Sequence, residues 1–359
     1  MINEKILSDP FSLCMINYNG EQYLEESLGS VFSQDVKFED IILIDDASND
    51  NSLEIVRNKF PGVKIIQLDK NRGPAAARNI GFQRASCDRV IFMDNDVSMA
   101  DGCAFRLIKS LDENNNAAAA MPKVIYSSNR NLIQYDGAQS HFLGLMTLHN
   151  ENQQLVTSIN ETRKIGSLVT SCFIVDRKKW GDSDPFDETF FLYHEDQDFG
   201  YRIRSLGYEI LSVSTAVCYH REGTQGLSLR RDGKYSKKRV FYLIRNRWQI
   251  ILKNYGSKTL LLLSPILIFY EIFQFGGVLK KKWLKEWLKA NFWIMLHFDE
   301  IIYKRREIQK ARIIPDHEIL TGGPIPYTGY LLKSPLEKAG KRFLDSITEI
   351  YWNRIKKLI

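Results

Sequence analysis

The chain has 359 residues, 44% of them hydrophobic and 26% charged, a composition that excludes disorder as the first interpretation and predicts one large domain, or one domain with a helical appendage. The formal net charge of +6 is unevenly distributed, because residues 230–312 hold 20 Lys and Arg against 6 Asp and Glu. No helix-turn-helix, zinc finger or RNP-like motif accompanies these cations, so we expect no nucleic-acid partner. We expect instead that this basic segment contacts anionic lipid or polyphosphate.

The N-terminal residues MINEKILSDPF include acids and no apolar core, so we expect no secretory signal peptide. Five widely spaced cysteines form no C-x-x-C pair, which argues against a disulfide framework or a zinc knuckle and favours a reducing compartment.

Strand-like and helix-like runs alternate through the first hundred residues. Predicted strands are FSLCMIN (11–17), DIILIDD (40–46), VKIIQLD (63–69) and RVIFMDN (89–95), with helical spacing between them. This alternation predicts a mostly parallel sheet covered on both faces, which binds ligands beyond the carboxyl ends of its strands. Polar residues at those ends should gather on one edge: Asn17, Asp45, Asp46, Asp69, Asp94 and Asp96. Each of them alone is equally well explained as a turn residue.

The pattern is less regular from 117 to 228, where three further strands and a helix ended by Gly207 predict a mixed sheet. Residues 259–279 form an apolar stretch of spanning length, but Glu271 and Gln274 would be costly in lipid. The next stretch repeats Trp283, Leu284, Trp287 and Leu288 at helical spacing and lysines on the other face. We interpret it as a helix in the membrane interface; a pair of core helices is the alternative.

The last residues contain TGGPIPYTGY (321–330), a predicted loop, and an amphipathic run that predicts a C-terminal helix. The predicted domains are therefore a catalytic domain over 1–230, a membrane-associating helical region over 231–312, and a C-terminal loop and helix over 313–359.

Asp94-Asn95-Asp96 follows the apolar run VIFM. Two carboxylates at i and i+2 of a strand end both reach one hard cation if the chain turns there, and a nucleotide diphosphate supplies further oxygens, which suits Mn²⁺ or Mg²⁺. His220 closes the strand-like run STAVCYH and is a candidate third ligand, although a lone histidine at a strand end is usually a surface residue.

Glu195 and Asp196 stand at the predicted start of a helix, where acids are favoured by the helix dipole. The functional interpretation is a general base that removes a proton from an acceptor hydroxyl. Arg78, within NRGPAAARN (71–79), is placed to offer a cation to phosphates beside a helix N-terminus. No Walker loop and no G-x-G-x-x-G follows the first strand.

Taken together, these residues resemble the family 2 glycosyltransferases, the large GT-A group. The resemblance covers residues 11–228 and rests on an ordered series of motifs: NYNG (17–20), IDDASNDNS (44–52), NRGPAAARNIGF (71–82), MDNDV (93–97), FDETFFLYHEDQDFGYRIRSLGY (186–208) and YHREG (219–223). It implies an α/β GT-A fold, a Rossmann-like mixed sheet with helices on both faces, followed here by a C-terminal helical membrane-associated region. It also implies a nucleotide-sugar donor, a divalent cation and inversion at the anomeric carbon.

The resemblance further implies a role for each matching residue. Asp94, Asp96 and His220 would hold Mn²⁺ or Mg²⁺, Asp196 would be the catalytic base, and Glu195 would support it. Nucleotide contacts would come from Tyr18, Asp46, Asn71, Arg78 and Asn95. The series is most similar to a rhamnosyltransferase-like branch, which implies hexosyl or rhamnosyl transfer from a UDP, dTDP or GDP sugar to a glycan or a polyprenyl-diphosphate-linked acceptor.

The sequence therefore predicts a glycosyltransferase at the cytoplasmic face of a membrane, bound peripherally or as a monotopic protein. Two alternatives remain at this stage. A nucleotidyltransferase also uses strand-end carboxylates and a metal, but it would release pyrophosphate. A non-catalytic membrane scaffold would keep the fold without the reaction, although both carboxylate pairs and His220 are present.

Overall fold

The structure is a computed structural model that describes residues 10–155, 161–181, 183–221, 236–326, 332 and 334–359. Predictions for the first nine residues, for the end of the YHREG motif, for the domain boundary at 230/231 and for residues 327–330 lie outside this part. The described strands are β1 (Phe11–Asn17), β2 (Asp40–Asp45), β3 (Lys64–Gln67), β4 (Arg89–Asp94), β5 (Val97–Met99), β6 (Ala117–Tyr126), β7 (Asn129–Tyr135), β8 (Ala138–His141), β9 (Leu145–Leu148), β10 (Thr162–Ile165), β11 (Cys172–Asp176), β12 (Glu209–His220) and β13 (Leu320–Thr321).

The described helices include those predicted between the first strands, before Gly207 and at the C-terminus. They are α1 (Leu24–Phe32), α2 (Ser52–Lys59), α3 (Pro74–Arg84), α4 (Cys103–Asp112), α5 (Arg177–Trp180), α6 (Glu195–Ser205), α7 (Lys237–Asn254), α8 (Ser257–Lys280), α9 (Leu284–Leu296), α10 (Phe298–Ala311), α11 (Asp316–Ile319) and α12 (Pro335–Ile355). The predicted C-terminal helix corresponds to α12, which begins at a capping box formed by Ser334 and Glu337.

The chain divides into two compact units. Unit 1 contains Met1–Ala138, Leu148–Phe199 and Tyr208–Gly223, and unit 2 contains Gln139–Thr147, Gly200–Gly207 and Thr224–Ile359. The region predicted as a third piece, 313–359, lies in the same unit as the helices before it.

Unit 1 is built on a mixed sheet whose strand order, among the described residues, is β10-β12-β6-β11-β4-β1-β2-β3, with β5 beside β12 and β7 beside β6. The first four strands are mutually parallel. Strand β11 runs antiparallel to both β4 and β6, and β12 is parallel to β6. Because two reversals restore the direction, the carboxyl end of β12 lies at the same edge as that of β4.

Both faces of this sheet are covered, as the sequence predicts. On one face Leu13 and Met15 of β1 join a buried cluster with residues of α1 and α4. On the other face Cys14, which alternates with them, donates a hydrogen bond to the Gly81 carbonyl of α3 at 3.3 Å. Continuous burial along β1 therefore reflects helices on both sides.

Unit 2 consists of helices and a small sheet of β13, β8 and β9. Its most buried charged side chain is Arg247 of α7, which is 1% exposed and forms an ion pair with Glu271 of α8. The Arg247 Nε also donates to the Leu143 carbonyl at 2.7 Å. The acid that makes α8 costly in lipid is therefore neutralised inside the unit.

The helix predicted to lie in the membrane interface is present as α9, but its tryptophans face the other way. Trp283 and Trp287 pack against a buried cluster that contains Val240 and Ile244 of α7. The predicted arrangement, with tryptophans and leucines together and lysines opposite, is wrong. The reason is that the large indole rings fill the gap between α9 and α7, which leaves the leucines exposed.

Candidate active site at the strand ends

The first group of predicted site residues meets at the edge where β4 and β12 end. His220 is the last residue of β12, and its Nε2 lies 3.3 Å from Oδ2 of Asp96. The backbone supports this pair, since Arg221 N–H donates to the Asp96 carbonyl at 3.0 Å. The pairing depends on the mixed sheet order, which brings a histidine 124 positions later in the chain beside the aspartate.

Behind His220 lies a residue that the sequence reasoning missed. Gln134 of β7 is fully buried, and its Oε1 is 2.8 Å from His220 Nδ1. When Nδ1 carries the proton it donates to this oxygen, and Nε2 is then the unprotonated nitrogen that a metal ion binds. No local motif marks Gln134, because its stretch NRNLIQY is an ordinary strand sequence.

Arg78 connects the two acidic groups of the site. Its side chain is 3% exposed; Nη2 donates to Asp94 Oδ1 at 2.7 Å, and Nη1 to Glu195 Oε1 at 3.3 Å. Nη2 also donates to the Thr170 carbonyl at 3.2 Å. Burial raises the pKa of Asp94 to about 6, while the charge of Arg78 opposes that rise. The guanidinium therefore helps to keep both carboxylates ionised.

Asp196 is the second of the two acids that begin α6. Burial raises its pKa to about 8, and the neighbouring charge of Glu195 adds to the effect. The backbone just before the helix is strained, since Phe191, Tyr193 and His194 have φ values of 59°, 67° and 66°. Such strain is typical of functional loops, where surrounding contacts hold an unfavourable conformation.

The residues predicted to bind the nucleotide lie around the ends of β1, β2 and β4. Asp46 is buried, and its two carboxylate oxygens accept hydrogen bonds from the Arg72 and Gly73 N–H groups at 2.7 and 2.8 Å. Burial raises the pKa of Asp46, and these two N–H groups counteract it. Asp46 thus fixes the turn that precedes α3.

An amide pair closes the same edge. Asn95 Nδ2 donates to Asn17 Oδ1 at 2.6 Å, and Asn17 Nδ2 donates to Asp45 Oδ1 at 2.7 Å. A Cβ added at Gly20 would lie 2.1 Å from the Asn95 amide nitrogen, so only glycine fits beneath this pair. Tyr18 is half-buried at the end of β1, and Asn71 is exposed before α3.

The donor set fits a divalent cation bound together with a diphosphate. Carboxylate oxygen and neutral imidazole nitrogen suit Mn²⁺ and Mg²⁺, and Asp96 and His220 offer one of each at 3.3 Å. Within the described ranges, no three His, Cys, Asp or Glu side chains are grouped to hold an ion by themselves. Oxygens of a bound diphosphate would have to complete the coordination.

Comparison with known proteins finds a family match over part of the chain. Residues 12–179 match the family model of Glycosyl transferase family 2. The chain is 42% identical to an uncharacterized glycosyltransferase of Haemophilus influenzae over 93 aligned residues. This alignment covers 25% of this chain and 37% of that protein. Over 212 residues it is 26% identical to the poly-beta-1,6-N-acetyl-D-glucosamine synthase of Staphylococcus epidermidis, or 58% of this chain and 49% of that protein. The chain thus spans half or less of the length of these two relatives.

Solved structures of similar shape have the same fold. GalNAc-T7 with UDP, GalNAc and Mn²⁺ superposes with a TM-score of 0.55 at 18% identity, over 70% of this chain and 49% of that one. The mannosyltransferase PcManGT of Pyrobaculum calidifontis, in complex with GDP-Man and Mn²⁺, gives 0.51 at 13% identity, over 95% and 87%. At these identities the likeness concerns the fold. The chain therefore has the GT-A fold, as the resemblance implies, and its residues 12–179 match the model of glycosyl transferase family 2.

Proposed function

We propose that this protein is an inverting, metal-dependent glycosyltransferase that moves a sugar from a nucleotide diphosphate to an acceptor hydroxyl. The observation that carries the proposal is Arg78, which joins the Asp94 edge and the Glu195–Asp196 edge through contacts of 2.7 and 3.3 Å. These contacts support a site for the leaving diphosphate beside a site for the proton acceptor.

In the proposed reaction the acceptor oxygen attacks the anomeric carbon from the face opposite the diphosphate. The bond between that carbon and the phosphate oxygen breaks, the nucleoside diphosphate leaves, and the hydroxyl proton passes to Asp196. A carboxylate with a pKa near 8 is a strong enough base for this transfer. Asp94, Asp96 and His220 would hold Mn²⁺ or Mg²⁺, which when bound neutralises charge on the leaving diphosphate.

The nucleotide side of the proposed site is formed by Tyr18, Asn71 and Asn95, with Asp46 shaping the turn before α3. Arg78 acts on the donor through Asp94, because its guanidinium is buried and already bonded to carboxylates. UDP and GDP-Man in the two similar structures support a sugar nucleotide as donor.

The proposed acceptor is a growing glycan or a polyprenyl-diphosphate-linked sugar at the cytoplasmic face of a membrane. The synthase of Staphylococcus epidermidis, named for a polysaccharide product, supports a glycan acceptor. In the part of the chain that the structure describes, α8 has the length and apolar composition of a helix able to cross a membrane, which supports a membrane location. The rhamnosyltransferase-like branch remains a prediction.

The test measures donor turnover by the purified chain with UDP, dTDP and GDP sugars and Mn²⁺ or Mg²⁺. We expect release of a nucleoside diphosphate, which phosphorus NMR distinguishes from the pyrophosphate of a nucleotidyltransferase. Asp196→Asn should lower kcat by about 10²–10⁴-fold and leave donor affinity, measured by calorimetry, nearly unchanged.

Asp35→Asn, which changes an exposed aspartate outside the site, is the matched control and should keep full turnover. Retained transfer by Asp196→Asn would remove Asp196 from its role. Failure of the native chain to bind any nucleoside diphosphate with Mn²⁺ would contradict the glycosyltransferase proposal and favour the non-catalytic membrane scaffold.

A further inference from the structure

One face of α9 is apolar, exposed and continuous. Leu284, Leu288 and Phe292 recur four residues apart and are 40%, 53% and 59% exposed, and Met295 and Leu296 extend the same face. Side chains four apart lie above one another on a helix, so these residues form one stripe. A stripe of this size in water is unfavourable unless another apolar phase covers it.

Lysines border this stripe on the exposed side. Lys285 and Lys289 are exposed and follow Leu284 and Leu288 directly, so each lies about 100° from its leucine around the helix axis. The turn before α9 adds Lys281 and Lys282; Lys280, the last residue of α8, pairs with Glu337 at 2.7 Å. Long lysine side chains beside an apolar stripe reach towards charged groups at a lipid surface while their methylenes remain in apolar surroundings.

The opposite face of α9 is fixed to its own unit. Glu286 and Ala290 are buried there, and Ala290 packs with Val240, Ile244 and Val278. The helix is therefore held in place with its apolar stripe outward, rather than being free to turn the stripe inward.

A second copy of this chain is a poor occupant for the stripe. In a two-fold interface the same patch meets itself, so Lys285 and Lys289 of one copy would face the same residues of the other. Among the described residues from 280 to 296 the acid is Glu286, which is buried on the inner face. Anionic lipid headgroups supply negative charge along the whole length of Lys285 and Lys289, whereas the exposed acids nearest in sequence, Asp299 and Glu300, lie beyond the end of α9.

The neighbouring helix α8 packs one face against its own unit. Its inner face contains buried Leu263, Ile266, Leu267 and Tyr270. Arg247 pairs with Glu271, and Tyr351 of α12 donates to the Leu262 carbonyl at 2.7 Å. A helix whose one face carries a buried ion pair and a domain contact would have to bring that domain into the bilayer in order to span it.

We propose that the stripe of Leu284, Leu288 and Phe292, with Lys285 and Lys289, docks the protein on an anionic lipid surface as a monotopic protein without a spanning helix. This proposal deepens the membrane location given under the proposed function, and it does not depend on catalysis.

The test is co-flotation of the full chain with vesicles of phosphatidylcholine alone or with about one third phosphatidylglycerol. We expect binding to the anionic vesicles, release at high salt or alkaline carbonate, and much weaker binding to the neutral ones. Leu288→Glu/Phe292→Glu should abolish binding to both, and Lys285→Glu/Lys289→Glu should weaken anionic binding by about tenfold or more.

Two controls match these variants in chemistry. Phe32→Glu changes an exposed phenylalanine of unit 1, and Lys37→Glu/Lys64→Glu reverses two exposed lysines there; both should bind like the native chain. Donor binding with Mn²⁺, measured for every variant, separates loss of docking from loss of the active site.

Three results would overturn the proposal. The first is that the native chain binds neither kind of vesicle. The second is that it resists alkaline extraction and needs detergent for release, as a spanning protein does. The third is that the chain elutes as a dimer, which Leu288→Glu/Phe292→Glu converts to a monomer, while vesicles bind neither form.

Discussion

Asp196 sits where burial and a neighbouring acid both disfavour its charged form. The same surroundings raise the pKa of Glu195 through burial, with Arg78 opposing the rise. Placing two acids at the start of one helix therefore generates a base stronger than an ordinary aspartate.

This arrangement predicts a specific pH dependence. The proton acceptor must be ionised, so turnover should rise with pH through about 8, the raised pKa of Asp196, and a profile flat between pH 6 and 9 would contradict the role. For stability the sign is opposite: a carboxyl whose folded pKa exceeds its unfolded value loses stabilisation as pH rises from about 4 towards 8. Asp196→Asn should therefore increase the free energy of unfolding at pH 8 by about 1 kcal/mol or more relative to pH 4, measured by urea titration.

Gln134 contacts His220, and in the proposed site it would act on the metal through this histidine. Removing its amide in Gln134→Met frees the imidazole to adopt the wrong tautomer, so the affinity for Mn²⁺ in the presence of nucleotide should fall by about 10–100-fold. Free Mn²⁺ measured by electron paramagnetic resonance gives this constant without an activity assay. Gln134→Glu, whose carboxylate still accepts the Nδ1 proton, should recover part of the affinity.

Gln153→Met changes an exposed glutamine of the following segment and serves as the control. An unchanged Mn²⁺ affinity in Gln134→Met would show that Gln134 is a buried strand residue with no role in metal binding. The buried Nε2 of Gln134 has no hydrogen-bond partner in the structure. This is an energetic cost, which the contact between Gln134 Oε1 and His220 offsets.

At the scale of elements, the turn between β3 and α3 shapes the side of the candidate site that is proposed to bind the nucleotide. Gly73 precedes α3 with φ of 84°, and a Cβ there would lie 2.7 Å from the Phe191 carbonyl oxygen. Phe191 belongs to the strained segment before α6, so Gly73 lets the two loops of the site approach each other.

Two glycine substitutions should therefore have opposite effects on the free energy of unfolding. Gly73→Ala should lower it by about 1–3 kcal/mol, because both the backbone conformation and the contact are unfavourable for alanine. Gly29→Ala, inside α1 with open space around its Cβ, should raise it by about 0.5–1 kcal/mol. Urea unfolding of both variants measures the difference, and equal effects would contradict the close approach at Gly73.

At the scale of the whole molecule, charge is divided between the two units. The cations concentrated in residues 230–312 fall largely in unit 2, whose helices also expose the apolar stripe of α9. Unit 1 holds the sheet and the carboxylates of the candidate site. The proposed lipid contact and the proposed metal and diphosphate site thus depend on separate groups of residues, which allows each to be changed without the other.

The sheet and half of the candidate site were predictable from local sequence. Strands β1 to β4 alternate with helices at regular spacing, and the polar residues that end them had to gather at one edge because parallel strands share their carboxyl ends. The hydrogen bonds from Asn17 to Asp45 and from Asn95 to Asn17 join side chains at this edge, as expected.

Local sequence therefore determined the parallel strands that begin the sheet, the acid pair at a strand end and the acid pair at a helix start, because each depends on neighbouring residues. The GT-A fold followed from the resemblance that the ordered series of motifs carries. Only the tertiary structure decided that Arg78 bridges residues 94 and 195, that Gln134 supports His220, and that the tryptophans of α9 face inward. These contacts join positions far apart in the chain. Strand order and helix packing determine these contacts, and neither can be read from a local sequence pattern.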